Sequence, residues 1–99
     1  MAVRFKVNPQ ELAKQAQTLQ ELNERFKTEV TTMTEKEQAL SSMWEGEARN
    51  AFHNAYATDV EKFQNFYAGI ARFVEALVQA AQEYVKAEQI ASSIAAKRA

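Results

Sequence analysis

One feature constrains this chain more than any other: apolar residues recur every seven positions on both sides of a single central glycine. Leu12, Leu19, Phe26, Met33 and Leu40 form one column, with Ala16, Asn23, Val30 and Glu37 between them. Alternating steps of four and three make an a/d seam on one helix, weakened at Asn23 and Glu37. No proline or glycine falls between Pro9 and Gly46, so nothing breaks the helix. After Gly46 the columns resume as Tyr56, Phe63, Ile70, Leu77, Tyr84 and Ala91. Their companions are Phe52, Asp59, Phe66, Phe73, Ala80, Ala87 and Ile94.

The start of the first helix is equally legible. In "VNPQEL", Asn8 suits the N-cap, Pro9 the first helical position, and Glu11 the third. Val7 and Leu12 have the spacing of a hydrophobic staple. Before them, residues 1–7 alternate apolar and charged, the period of an extended arm. The spacing predicts an all-α chain: arm 1–7, helix 8–41, bend 42–46, helix 47–90, and a tail at 84–99. The first helix would be about 50 Å long.

The two seams match if the chain folds back at the bend. With paired numbers summing to 89, Phe26 meets Phe63, Leu19 meets Ile70 and Leu12 meets Leu77. Asn23 then faces Phe66, Ala16 faces Phe73, Val30 faces Asp59 and Glu37 faces Phe52. The expected fold is a long antiparallel helical hairpin with a left-handed supercoil.

The second helix carries a further stripe at steps of four and three: Val60, Gln64, Tyr67, Ala71, Val74, Val78, Ala81 and Val85. The first helix offers little to match it. Two helices also bury too little surface to be comfortably stable alone. Dimerisation into a four-helix bundle follows as the expectation. Its interface would be Val60, Tyr67, Ala71, Val74, Val78 and Ala81. The competing reading leaves an alanine-rich stripe in solvent, but the valines, mediocre helix formers, weigh against it.

Composition excludes several functions. The 99 residues suit one domain, and 12 basic against 13 acidic side chains give no basic face for nucleic acid. There is no cysteine, hence no disulfide framework or thiolate chemistry. No apolar run approaches the ~18 residues of a membrane span, so stable membrane insertion is not expected. Disruption of a membrane by the second helix is the weakest reading, since packing explains its stripes better. No apolar stretch follows the basic residues of "MAVRFKVNPQ", so we expect no cleavable signal peptide. His53 is the one histidine, and we read it as a partly exposed helix residue without triad or metal partners. The carboxylates fall on outer faces, and two glycines build no phosphate-cradling loop. We expect no enzyme, no cofactor and no metal.

The bend holds "SSMWEGEARN", with the only tryptophan of the chain at Trp44 and a glycine at Gly46. A core-building tryptophan would lie mid-helix, not in a break between Glu45 and Glu47. Near the C-terminus, Tyr84 and Glu88 stand four apart as Tyr-X-X-X-Glu. A Trp-X-Gly triplet at the middle of about one hundred residues, with this downstream pair, resembles the WXG superfamily. These are the small early-secretory-antigen type of type VII secretion substrates, and the resemblance spans the whole chain. The family pattern continues with apolar residues at fixed steps, which fall here on Ala91 and Ala95, with Ile94 one place off.

The resemblance implies synthesis in the cytoplasm and secretion by a membrane-bound ATPase machine. It implies transport as a folded homodimer, or as a heterodimer with a paired relative. It also implies a composite signal, the bend of one chain with the Tyr-X-X-X-Asp/Glu segment of its partner. Carried over, the signal residues are Trp44, Gly46, Tyr84 and Glu88. Trp44 has a second reading, as a plug closing the end of the bundle. An alternative role is that of an adaptor for the helical N-terminal domain of a larger secreted toxin.

Overall fold

A computed structural model describes residues 8–98. It contains two helices, α1 at Pro9–Ser42 and α2 at Glu47–Arg98. They pack antiparallel as a hairpin 80 × 26 × 16 Å in extent. The expected staple through Val7 and the extended arm lie outside the described residues.

The start of α1 follows the sequence. The Asn8 side chain accepts from the backbone N–H of Gln10 at 3.0 Å and of Glu11 at 3.1 Å, satisfying two of the otherwise orphaned donors of the first turn. Glu11 does not close a box with Asn8; its carboxylate accepts from Gln15 one turn on, at 3.0 Å. At the far end α2 runs to Arg98 rather than stopping at 90. The stretch "QIASSIAAKR" contains no glycine or proline, and its alanines sustain a helix without packing. At 52 residues against 34, α2 is 18 longer, an overhang of roughly 27 Å.

The register lies within one residue of expectation. Asn23 with Tyr67, Thr34 with Tyr56 and Glu37 with His53 each add to 90. Phe26 meets Phe63 as expected, ring edge to face with centroids 6.0 Å apart.

The face that α2 turns inward differs from expectation. The Tyr56–Tyr84 column does face α1, but its companion is not Phe52, Phe66 and Phe73. Those three are exposed, Phe66 by 57% and Phe73 by 54%. The companion is Val60, Tyr67, Val74 and Ala81. Val74 retains 6% of its exposure and Ala81 5%; only α1 is present to cover them. These residues were expected at an interface between chains, and Val74 and Ala81 instead form the core of one chain.

The physical reason lies in the polar residues of the α1 seam. Buried polar groups need partners. Asn23 is buried and donates through Nδ2 to the Tyr67 carbonyl at 3.0 Å. Thr34 shares a 2.9 Å hydrogen bond with the Tyr56 hydroxyl, and buried Glu37 meets His53. Rotating α2 to bring Phe52 and Phe66 inward would set apolar rings against Asn23 and Glu37, each unpaired group costing about 1–3 kcal/mol. Even here the Asn23 Oδ1 is buried with no partner.

The hairpin thus has two unlike edges. Phe26 also meets Phe66, at 5.4 Å, so the Leu12–Leu40 column and the Phe52–Phe73 column share one edge. On it Leu22, Met33, Leu40, Phe52, Phe66 and Phe73 are all exposed. The opposite edge is lined by Gln20, Glu24, Glu75 and Gln79, with Ala71 and Val78 between them. Among the described residues no large side chain is fully buried, and Ala16 is the one core position at 0% exposure. The accessible surface is 8350 Å², against about 5,700 Å² for a compact monomer of this mass. The excess is that of a rod 80 Å long and two helices wide.

Candidate functional site: the bend and the overhanging turn

The bend is built by backbone rules. α1 ends as the N–H of Met43 bonds the Leu40 carbonyl at 3.1 Å, and that of Trp44 the Ser41 carbonyl at 3.4 Å. Gly46 adopts φ +110°, a region costly for any residue with a Cβ. A Cβ placed there would touch nothing within 4 Å. The requirement for glycine is therefore conformational and not one of space. The Gly46 carbonyl then accepts from Asn50 N–H at 3.2 Å, opening α2. The motif glycine is both the turn and the cap of the second helix.

Trp44 is 38% exposed. One side of its indole rests on Phe52, ring centroids 5.9 Å apart and tilted by 49°. Beside it Ser41, Gly46, Arg49 and Asn50 line a hollow of about 350 Å³. One face of the indole thus packs at the hairpin end against Phe52, and the rest stands open.

Beneath the bend lies a cluster that the sequence reading left out. Glu37 keeps only 4% of its side-chain exposure, yet its Oε1 lies 2.7 Å from Nδ1 of His53. Ser41 Oγ donates to the same oxygen at 2.9 Å. Arg49 Nε donates to the Ser41 carbonyl at 3.3 Å, capping the C-terminal turn of α1, which has no basic residue of its own. The hydrogen bond from His53 holds the Glu37 carboxyl below its ordinary value. Burial opposes this, while Ser41 and the charges of His53 and Arg49 reinforce it. Serine, glutamate and histidine here form no nucleophilic relay: Ser41 and His53 both bond the carboxylate, and neither activates the other. His53 was read as partnerless. A charged residue at a seam position, with the only histidine one place beyond its expected partner Phe52, was the available signal.

At the other end Tyr84 and Glu88 lie on the overhang of α2. Tyr84 is half-buried and Glu88 exposed. Partial burial raises the Tyr84 phenol above its ordinary value, and the Glu88 carboxylate one turn on raises it further. The two form one unit on one turn. They line a groove of about 610 Å³ with Val85, Gln89 and the first residues of α1, Asn8 and Pro9.

The structure keeps the four signal residues in two pairs and does not bring the pairs together. Gly46, the residue just before α2, and Tyr84 within that unbroken helix are 38 positions apart, about 57 Å. Among the described residues no group of three or more His, Cys, Asp or Glu is placed to hold a metal. No helix among them is long and apolar enough to cross a membrane.

Residues 4–89 match the model of the WXG100 family, described as proteins of 100 residues with WXG. No curated protein and no solved structure matches the chain.

Proposed function

The chain belongs to the WXG100 family, and from that membership we propose that it is a non-enzymatic substrate of a type VII secretion system. It leaves the cell as a folded helical dimer. Trp44, Gly46, Tyr84 and Glu88 form its recognition surface, and the ATPase of the machine reads it.

The observation that carries this reading is the separation of the two signal pairs. In one chain they stand about 57 Å apart, at opposite ends of α2. A second hairpin packed antiparallel to the first sets its overhang beside the first bend, and so completes the surface. The edge available for that packing carries Phe66, Phe73, Leu22 and Met33. It replaces the Val60–Ala81 stripe as the proposed dimer face. Burial of aromatic anchors at the centre of such a patch is the usual source of interface energy.

Native mass spectrometry of the purified chain, joined to a secretion assay in a host with a working type VII system, tests this. A homodimer exported in wild-type form and retained as Trp44→Ala is the expected result. Normal export of Trp44→Ala would overturn the signal assignment. A monomer would move the reading to the alternative, an adaptor whose Phe edge is covered by the helical N-terminal domain of a larger secreted toxin.

A further inference from the structure

We infer that Glu37 is a positioning residue for Trp44: its buried carboxylate ties the last turns of α1 to the first turns of α2 and so sets how the bend presents the indole. This rests on the reading of Trp44 as a recognition residue, but its test does not depend on export.

A carboxylate in an apolar seam is expensive unless every lone pair finds a donor. An alanine or leucine there would pack without that cost, as Ala16 does three heptads earlier in the same column. Glu37 is therefore held by something beyond packing. Its donors are Ser41 from its own helix and His53 from α2, and the Arg49 charge faces it from α2. Arg49 simultaneously binds the Ser41 carbonyl. Two cross-links between the helices, Glu37 to His53 and Ser41 to Arg49, thus bracket residues 43–46. Phe52, the floor under Trp44, is the chain neighbour of His53. Moving His53 moves that floor. Among the described residues Glu37 is the one buried charge; farther from the bend the buried polar contact is that of Asn23 with the Tyr67 carbonyl, and Thr34 meets Tyr56.

The sign of the pH dependence follows from the geometry. The folded state favours ionised Glu37, so its contribution is present above the unfolded value and is lost as pH falls through the lowered folded value. Acid should loosen the bend before it melts the hairpin. His53, half-exposed, keeps the cluster within reach of solvent protons.

The chain has only one tryptophan, so fluorescence reports this bend alone. In full-length Glu37→Gln, Trp44 emission is expected to shift to longer wavelength, with greater acrylamide quenching and lower anisotropy, while helical circular dichroism stays at the wild-type level. Acidified wild type should reproduce that signature, and Glu37→Gln should be flat over the same range. That flatness separates Glu37 from Glu45 and Glu47, the carboxylates that flank Trp44 and are the same in both proteins. Thr34→Val supplies the control, since it removes a cross-helix hydrogen bond away from the bend. An unchanged Trp44 in Glu37→Gln overturns the inference, as does an equal change in Thr34→Val. If Glu37→Gln loses helicity, the wild-type acid titration decides: Trp44 changing only together with helicity overturns the inference, and changing ahead of it supports it.

Discussion

The two edges of the hairpin are made by the same helices and differ in almost everything else. One carries exposed Phe52, Phe66 and Phe73 beside Leu22, Met33 and Leu40. The other sets Gln20, Glu24, Glu75 and Gln79 around Ala71 and Val78. Both border the same seam, yet the first carries three exposed phenylalanines, while the second sets polar side chains around its exposed valine, Val78. On that edge Tyr67 donates its hydroxyl to Glu24 at 2.5 Å and lies under the Lys27 ammonium, 5.2 Å from the ring centre. The bond to Glu24 raises the phenol above its ordinary value, with desolvation behind it. The difference teaches that an apolar column on a helix is not assigned to a partner by hydrophobicity alone. Neighbouring polar groups that can be satisfied on one side only make the choice.

The largest effect should come from testing which column lies inside. Val74→Glu buries an unpaired charge against α1 and should cost about 3 kcal/mol or more of hairpin stability, read from urea unfolding. A variant as stable as wild type that only loses its dimer would return Val74 to the intermolecular face. Next in size is Phe66→Glu, on the apolar edge. It should leave the helical signal of the hairpin intact and weaken the dimer by about 2 kcal/mol or more, roughly thirtyfold in Kd. Unchanged affinity in analytical ultracentrifugation would show that edge to be idle.

A smaller and opposite effect is expected at Gly69, which shares the apolar edge with Phe66 and Phe73. A Cβ there would meet only Arg72 Nη2, at 3.9 Å, an ordinary contact. Within one hairpin Gly69→Ala should therefore stabilise by about 0.5–1 kcal/mol. If thermal melts show the gain at dilution but dimer affinity falls, a partner helix sits against Gly69. The smallest effect belongs to the edge around Val78. Val78→Gln should change both stability and affinity by less than about 0.5 kcal/mol; a large loss in either would erase the distinction between the edges.

Much of this architecture was legible before any coordinates. The Asn8 cap, the bend at Trp44-Glu45-Gly46 and the meeting of Phe26 with Phe63 follow from spacing and from the conformational habits of asparagine, proline and glycine. Two things were not. Three apolar columns lie side by side on α2, and periodicity cannot say which two face α1. That was decided by Asn23, Thr34 and Glu37, whose hydrogen-bond needs are a three-dimensional property. The Glu37 cluster escaped for a related reason. Glutamate at a seam position reads as a flaw in the pattern until its donors are seen, and the register was one residue from revealing His53.

The dimensions of the hairpin carry a last consequence. A compact protein of this length has a radius of gyration of about 13 Å, and its width is much the same from any direction. Here the radius is 22.6 Å, and the length of 80 Å is that of α2 alone. An aperture that admits the molecule lengthwise is set by two helix diameters, about 20–24 Å, whatever the number of turns. Adding residues to α2 lengthens the rod and leaves the aperture unchanged. Size selection at such an opening counts helices abreast rather than mass.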